Sequence, residues 1–392
     1  MSRIQSILRS RVLWSSILIA TGLVSVYGLG LGMRRSVLES QVAQIGDDMP
    51  FTLESALHYR RIKILHDRGE LPEVDQAIQY PEGIHIARID GIAGEPVYAK
   101  LARLFPDEMP FASRLRWIEA AWFCLGVPLL ALLVQAWTRS WFAGLISAAL
   151  YAVAIASVLR TTGQEISREN FALPWLIAAG AAASRYFRSA ERERGDGLWA
   201  LAAAILLALS LAAWDMIQYV LAVLALGMSL HLLIRGGGYD RKTTRFFAAV
   251  AVFTWLTGIL HPYYRFHGFP TSPLSAWMIS PLIGMAYLAG GGPGASGFAW
   301  RARLKLGLVL LLPPLAVAGL GMFGTFGDSY GHFADLLIAK LRFLNVKPAD
   351  PGLMNFDQRI MWVPSLHSAT WALTKWLFPY TVWVGCVVAV VA

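Results

Sequence analysis

LWALAAAILLALSLAAWDMIQYVLAVLALGMSLHLLI, residues 198–234, carries one formal charge, the carboxylate of Asp215. A bilayer core is crossed by about 20 apolar residues of helix, so this run is too long for a single span. It reads as two spans meeting at Trp214-Asp215, which puts the lone acid at a membrane surface and not in the middle of the bilayer. Similar runs recur on both sides of it. Upstream lie Val12–Met33, Leu115–Trp137, Trp141–Leu159 and Phe171–Ala183; downstream lie Phe246–Leu260, Leu274–Leu288, Leu306–Met322 and a run from Ala369 to Ala392. The pattern predicts an all-α, polytopic transmembrane helix bundle of about ten spans, with Pro313-Pro314 expected to kink the ninth.

Composition agrees. The chain has 392 residues, 56% apolar and 15% charged, and a mean hydropathy of +0.51. The net charge of +9 does not point to nucleic acid, because the basic residues form short clusters between apolar runs. Both cysteines, Cys124 and Cys386, fall inside apolar runs, so no disulfide is implied. Val12–Met33 is too long for a signal-peptide core and reads as an uncleaved anchor.

Lys and Arg set the orientation. Arg3, Arg9 and Arg11 precede the first span, Arg139 separates the second from the third, and Arg185–Arg194, Arg235–Arg245 and Arg301–Lys305 follow on the same side. That side, with the N-terminus, is expected to be cytoplasmic. Arg34, Arg35, Arg114 and Arg116 dissent, but they border a long loop, where the rule weakens. Two long extracytoplasmic loops result, residues 34–114 and 323–368, on a single transmembrane domain covering 1–392.

The extracytoplasmic face collects the chemistry-bearing residues, while Glu119 is the main ionisable group expected inside the membrane. In the first loop, FTLESALHYRRIKILHDRG (Phe51–Gly69) reads as a short helix with Thr52 as N-cap and Gly69 as its stop. Glu54 lies in its first turn, favoured there by the helix dipole, and His58 and Arg61 share its face. A solvated amphipathic helix with a stabilising N-terminal acid has the same pattern. In TTGQEISREN (Thr161–Asn170), Glu165 and Glu169 flank Arg168, a set able to hold phosphate through the arginine or to form a loop ion pair between Arg168 and a neighbouring glutamate. Asp215 and the loop HPYYRFHGFP (His261–Pro270) face the same side. The late loop sets Asp328 and His332 at helical spacing, followed by Asp335, Lys340 and Asp357; an interfacial re-entrant segment would also carry its aromatics. No Asp-x-Asp and no His/Cys cluster with metal-ligand spacing occurs. The glycine run Gly290–Gly294 follows no strand and reads as a linker.

These motifs resemble the C-type (GT-C) glycosyltransferases, polytopic enzymes that take sugars from polyprenyl-linked donors on the non-cytoplasmic face. They are most similar to the tryptophan C-mannosyltransferase family: Glu54 in ESALHYRRIK, the run Arg168-Glu169-Asn170-Phe171 with Pro174, WDMIQYVL from Trp214, and HFADLLIAKLRF with NFDQRI in the late loop. The catalytic subunits of oligosaccharyltransferases are related, and HDRGELPEVDQAIQYPEG looks like their first loop. Those enzymes bind a divalent metal through aspartates and carry a C-terminal soluble domain with an acceptor motif, and this chain departs from both features. The C-mannosyltransferases run on through further spans, so the chain is expected to be a minimal member or incomplete at Ala392.

The resemblance implies inverting transfer of a sugar, a hexose such as mannose, from a polyprenyl-phosphate-linked donor to an extracytoplasmic peptide, protein or envelope-glycan acceptor. Glu54 would be the general base. Arg168 would be the first ligand of the leaving phosphate, with His332 and Lys340 assisting, and the polyprenyl tail would lie along the membrane lipid side of the spans. The protein would sit in the bacterial inner (plasma) membrane. No metal cofactor is expected; the oligosaccharyltransferase-like alternative would use Mg2+ or Mn2+, with Glu165 and Asp328 as candidate ligands. The rival outside the enzyme class is a lipid or solute transporter. No nucleic-acid partner is expected.

Overall fold

In a bilayer every backbone N–H and C=O must be bonded within the segment, so long apolar runs rich in Ala and Leu become helices. A computed structural model describes residues 2–46, 49–78, 81–189, 196–235, 241–289, 300–322, 338–344, 346–355, 358–359 and 370–377. Its helices are α1 (Ser2–Ile45), α2 (Leu53–Arg68), α3 (Ile86–Ile89), α4 (Glu95–Ala102), α5 (Phe111–Cys124), α6 (Gly126–Thr138), α7 (Trp141–Val153) and α8 (Ile155–Leu159). They continue with α9 (Arg168–Arg188), α10 (Asp196–Ala213), α11 (Ile217–Arg235), α12 (Arg241–Leu260), α13 (Pro262–Phe266), α14 (Pro273–Ala289) and α15 (Trp300–Met322). Residues 338–343 and Trp371–Leu377 are also helical. The one non-helical ladder among the described residues is a two-residue antiparallel pair in the first loop, β1 (Val74–Asp75) with β2 (Ile84–His85).

Five helical stretches are long and apolar enough to cross a membrane: Leu13–Ile45, Phe111–Thr138, Ile217–Ile234, Arg241–Leu260 and Trp300–Leu320. Trp141–Val153, Gly197–Ala213 and Pro273–Leu288 are shorter apolar helices. Large apolar side chains such as Leu18, Val24, Val223 and Leu308 stay exposed on them, a surface suited to lipid. These described helices do not establish the expected count of about ten spans; the final run beyond Leu377 lies outside the described residues, as does the Gly290–Gly294 linker.

Several boundaries differ from the sequence pattern for identifiable reasons. The first helix continues through residues 34–45, expected as loop, because Arg34 is buried and bonded instead of solvated. Within Phe111–Thr138 the joint at Leu125 precedes Pro128, which has no N–H to give the carbonyl of Cys124. The third span breaks at Ala154, whose backbone is extended (φ −60°, ψ 129°). The break between α10 and α11 falls at Trp214–Met216, as the lone acid there indicated. α15 carries Pro313 and Pro314 inside one helix.

Two cores matter. Leu211, Ile217, Leu221, Phe247 and Phe269 pack α10, α11 and α12 together. A second cluster, with Ile62, Tyr98, Leu115, Ile118 and Phe171, joins α2, α4, α5 and α9. Each fully buried Ile or Leu there stabilises by about 1.5–3 kcal/mol relative to exposure. The second cluster docks the first-loop helices onto the bundle, and it is where the polar residues converge. Arg60 adds a two-pronged bond to Asp75 (2.8 and 2.9 Å) that ties the small ladder to α2.

Candidate functional site

Thr52 does occupy the N-cap of α2 in extended conformation, but its side chain makes no capping bond. Its backbone N–H donates to the Gln164 carbonyl (3.3 Å), so the start of α2 is fixed by the loop that precedes α9. Gly69 ends the helix at φ 84°, a left-handed position where a Cβ would be strained, and its N–H returns to the Leu65 carbonyl. Between these ends α2 presents Glu54, His58 and Arg61.

α9 begins where Ser167 caps it, accepting from the Asn170 N–H. Arg168, its first residue, points back at α2. Its Nη2 donates to Glu54 Oε1 at 2.5 Å, across 114 residues of sequence, and its Nη1 donates to Asp90 Oδ1 at 2.8 Å. The other Asp90 oxygen accepts from Arg61 Nη1 at 2.6 Å. Asp90 therefore bridges two guanidinium groups, in the turn after α3. His58 Nδ1 lies 2.8 Å from Glu95 Oε1 at the start of α4, and its Nε2 lies 3.6 Å from Glu54 Oε1, beyond hydrogen-bond length.

The members differ sharply in exposure. The Glu54 side chain is 59% exposed, against 3% for His58 and 1% for Arg61. The cluster thus shows solvent one carboxylate and keeps its supports inside. A small cavity opens beside it, lined by His58, Ile62, Glu95, Tyr98, Arg168 and Phe171 among others. Gly94 lets α4 start this close: a Cβ there would sit 3.0 Å from the Phe171 ring. Phe171 and Tyr98 give the cavity an aromatic wall, and Trp122 backs it, stacked on Phe171 (centroids 4.7 Å apart, 10° between planes).

Behind this wall is Glu119, fully buried. It accepts from the Tyr98 hydroxyl, from Asn170 Nδ2 (2.7 Å) and from the Ser167 N–H (3.2 Å). Glu119 therefore pins the N-terminus of α9 to α4 and α5, and with it Arg168.

The charges tune one another. The His58 imidazolium pulls the Glu54 carboxyl down, burial opposes it, and Arg168 adds to the fall, to a pKa of about 2. For His58, burial pushes the pKa down, but Glu54 and Glu95 outweigh it and raise it to about 9. Asp215, in the α10–α11 break, is pushed up by burial and held back by the charge of Arg168. Among the described residues no three His, Cys, Asp or Glu side chains are grouped to hold a metal ion; the acids here face arginine and histidine instead.

Residues 107–283 match the protein family described as Dpy19: Q-cell neuroblast polarisation. Dpy19 is a C-mannosyltransferase family, the one the sequence motifs resemble. The apo oligosaccharyltransferase of Archaeoglobus fulgidus is similar in structure, with a TM-score of 0.60 at 15% identity over 84% of this chain and 40% of that one. So is the archaeal oligosaccharyltransferase AglB from the same organism, in complex with an inhibitory peptide and a dolichol-phosphate (TM-score 0.60, 16% identity, 88% and 41% covered). The fold is that of a GT-C glycosyltransferase. The chain spans about two-fifths of the length of these archaeal proteins. No curated protein matches it in sequence.

Within this GT-C fold the expected residues separate into two sets. Glu54, His58, Arg61 and Arg168 come together, with Asp215 nearby. Glu165 and Glu169 do not join Arg168: both pair with the exposed Arg160, at 3.9 Å for Glu165. The alternative reading, a loop ion pair of Arg168 with a neighbouring glutamate, gives way to its bonds to Glu54 and Asp90. Lys340 lies in the helical stretch 338–343; Asp328, His332, Asp335 and Asp357 lie outside the described residues. Sequence reading missed Asp90 and Glu95. The Asp-Gly turn at 90–91 and the Gly-Glu-Pro helix start at 94–96 mark a shaped turn, though nothing local in them announces arginine or histidine partners.

Proposed function

We propose that the chain is a membrane glycosyltransferase that moves a sugar from a polyprenyl-phosphate-linked donor to an extracytoplasmic acceptor with inversion, using Glu54 as general base. One observation carries this reading: an exposed carboxylate and a half-buried guanidinium, 114 residues apart, meet beside a cavity. The acceptor's proton passes to Glu54 as its nucleophilic atom bonds to the anomeric carbon. The carbon–oxygen bond to phosphate breaks, the oxygen keeps the electron pair, and Arg168 neutralises the charge that develops there.

A carboxylate with a pKa of about 2 is a weak base. Phosphate competes for Arg168 Nη2, and as that contact leaves Glu54 the carboxylate regains the part of its basicity that Arg168 had removed, His58 still holding the remainder down, while Asp90 keeps its hold on Nη1. Donor binding would thereby arm the base. The aromatic lining of Tyr98 and Phe171 suits an acceptor side chain of a peptide better than a hydrated glycan, and a hexose such as mannose fits the Dpy19 match. The archaeal protein's complex with a peptide and a dolichol-phosphate supports a lipid-linked donor and a peptide acceptor. The Lys/Arg pattern favours a cytoplasmic N-terminus and an extracytoplasmic site in the bacterial inner membrane. His332 and Lys340 remain the proposed contributions of the late loop to the phosphate.

Purified protein incubated with a polyprenyl-phosphate hexose and a tryptophan-containing peptide tests the proposal. Turnover should fall by roughly 10²–10⁴ in Glu54→Gln while donor binding persists; unchanged turnover in this variant would remove Glu54 from its role. Transfer should also survive EDTA. Loss of activity on chelation, restored by Mg2+ or Mn2+, would favour the oligosaccharyltransferase-like alternative.

A further inference from the structure

Glu95 has no part in the scheme above, yet it is a carboxylate with only 4% of its side chain exposed. Burying an ionised carboxylate without a partner costs several kcal/mol. His58 meets it at 2.8 Å through Nδ1, and this contact decides where the other nitrogen points. Nε2 faces Glu54 at 3.6 Å, is buried, and has no hydrogen-bond partner among the described residues. An unfilled buried donor next to a cavity is the observation that needs a use. A carboxylate shift of under about 1 Å would bring Glu54 into hydrogen-bond range of it.

We propose that Glu95, acting through His58, is the positioning residue of the base: the pair aims an imidazole N–H at Glu54 and takes hold of the carboxylate when Arg168 turns to the phosphate. This rests on the reading of Glu54 as the base. The support is rigid, because Glu95 begins α4 and the same helix is anchored one turn later by Tyr98 on Glu119. A freed Glu54 would otherwise sample several rotamers, and misplacement by an ångström costs a base much of its effect.

The dyad also sets a pH limit. The charged groups acting on His58 are Glu54 on its own helix, Glu95 on α4 and Arg168 on α9; Tyr98 lines the same cavity, and Arg61 and Asp90 are paired with each other. With His58 charged, Nδ1–H serves Glu95 and Nε2–H serves Glu54. Once it deprotonates, Glu95 keeps the Nδ1 proton, and a lone pair on Nε2 confronts the Glu54 carboxylate. Positioning is therefore present below about 9 and lost as pH rises through it.

The test compares Glu95→Gln and His58→Gln with Glu54→Gln, measuring single-turnover rate against pH, donor KM and melting temperature on the full chain. Glu95→Gln keeps the shape but removes the charge that holds the imidazolium. The rate near neutral pH should fall roughly 10- to 100-fold, the alkaline limb should move acidward by about one unit or more, and donor KM should stay put. In His58→Gln that limb should vanish, which carries the test if Glu95→Gln does not fold. A wild-type rate and alkaline limb in Glu95→Gln, or a loss confined to melting temperature, overturns the inference. If Glu54→Gln is inactive at the same time, only the role of Glu95 fails; full turnover in Glu54→Gln instead sinks the base assignment beneath it.

Discussion

Arg34 is buried and Arg168 half-buried, and the two arginines are held in opposite ways. Arg34 donates Nε to Thr161 Oγ1 (2.7 Å), Nη1 to the carbonyls of Gly30 (3.0 Å) and Ala152 (3.1 Å), and Nη2 to the Ser157 carbonyl (3.1 Å). It also lies over the Phe123 ring. Among the described residues no carboxylate pairs with it. The break at Ala154 explains the need: where the helix stops, carbonyls such as that of Ala152 lose their helical N–H partner, and the guanidinium supplies one. Arg168 instead faces the carboxylates of Glu54 and Asp90, with Asp215 within electrostatic range, and its Nε has no partner among the described residues. A cation with every N–H bonded to neutral acceptors in a closed pocket is a rivet. One shared among several acids beside an open cavity has contacts it can exchange for those of an incoming anion.

The comparison is open to a direct break. Arg34→Met leaves several buried carbonyls unbonded, so stability should fall by roughly 3 kcal/mol or more, while turnover per folded molecule stays at the wild-type level. Thermal unfolding in detergent with an active-site-normalised rate measures both; a normal melting temperature with reduced turnover would reverse the assignment. Arg168→Ala should do the reverse: donor affinity weaker by about 1.5–3 kcal/mol, slower turnover and a smaller change in melting. Direct titration with a polyprenyl phosphate reads it, and unaltered affinity would show that the leaving phosphate sits elsewhere. Arg160→Ala gives the smallest effect. Arg160 itself is exposed and its partners Glu165 and Glu169 are only half-buried, so stability should move by less than about 1 kcal/mol and donor affinity should not change. A large loss of affinity would make this outer pair part of the donor site.

The dissenting arginines make the same point about topology. Arg34, Arg114 and Arg116 break the Lys/Arg pattern, and all three are buried. Arg114 donates to the Met109 carbonyl (2.9 Å), and Arg116 donates to the carbonyls of Gly163 (2.9 Å) and Met49. They are structural ties between the loop and the bundle. Only Arg35 is exposed, paired with Glu39 one turn on.

What the sequence determined alone is what depends on neighbours along the chain. Apolar length marked the spans, the lone Asp215 marked the α10–α11 break, Gly69 marked the end of α2, and helical spacing put Glu54 and His58 on one face. Each follows from backbone geometry or from the cost of polar groups in lipid, both of which are local. Only the tertiary structure decided which charges meet. Arg168 has Glu165 and Glu169 beside it in sequence, yet it pairs with Glu54 and Asp90, because Ser167, Asn170 and Glu119 set the angle at which α9 begins. Asp90 and Glu95 were invisible for the same reason. A carboxylate in a turn looks alike whether it faces water or two guanidinium groups, and burial against distant residues, not spacing, settles which.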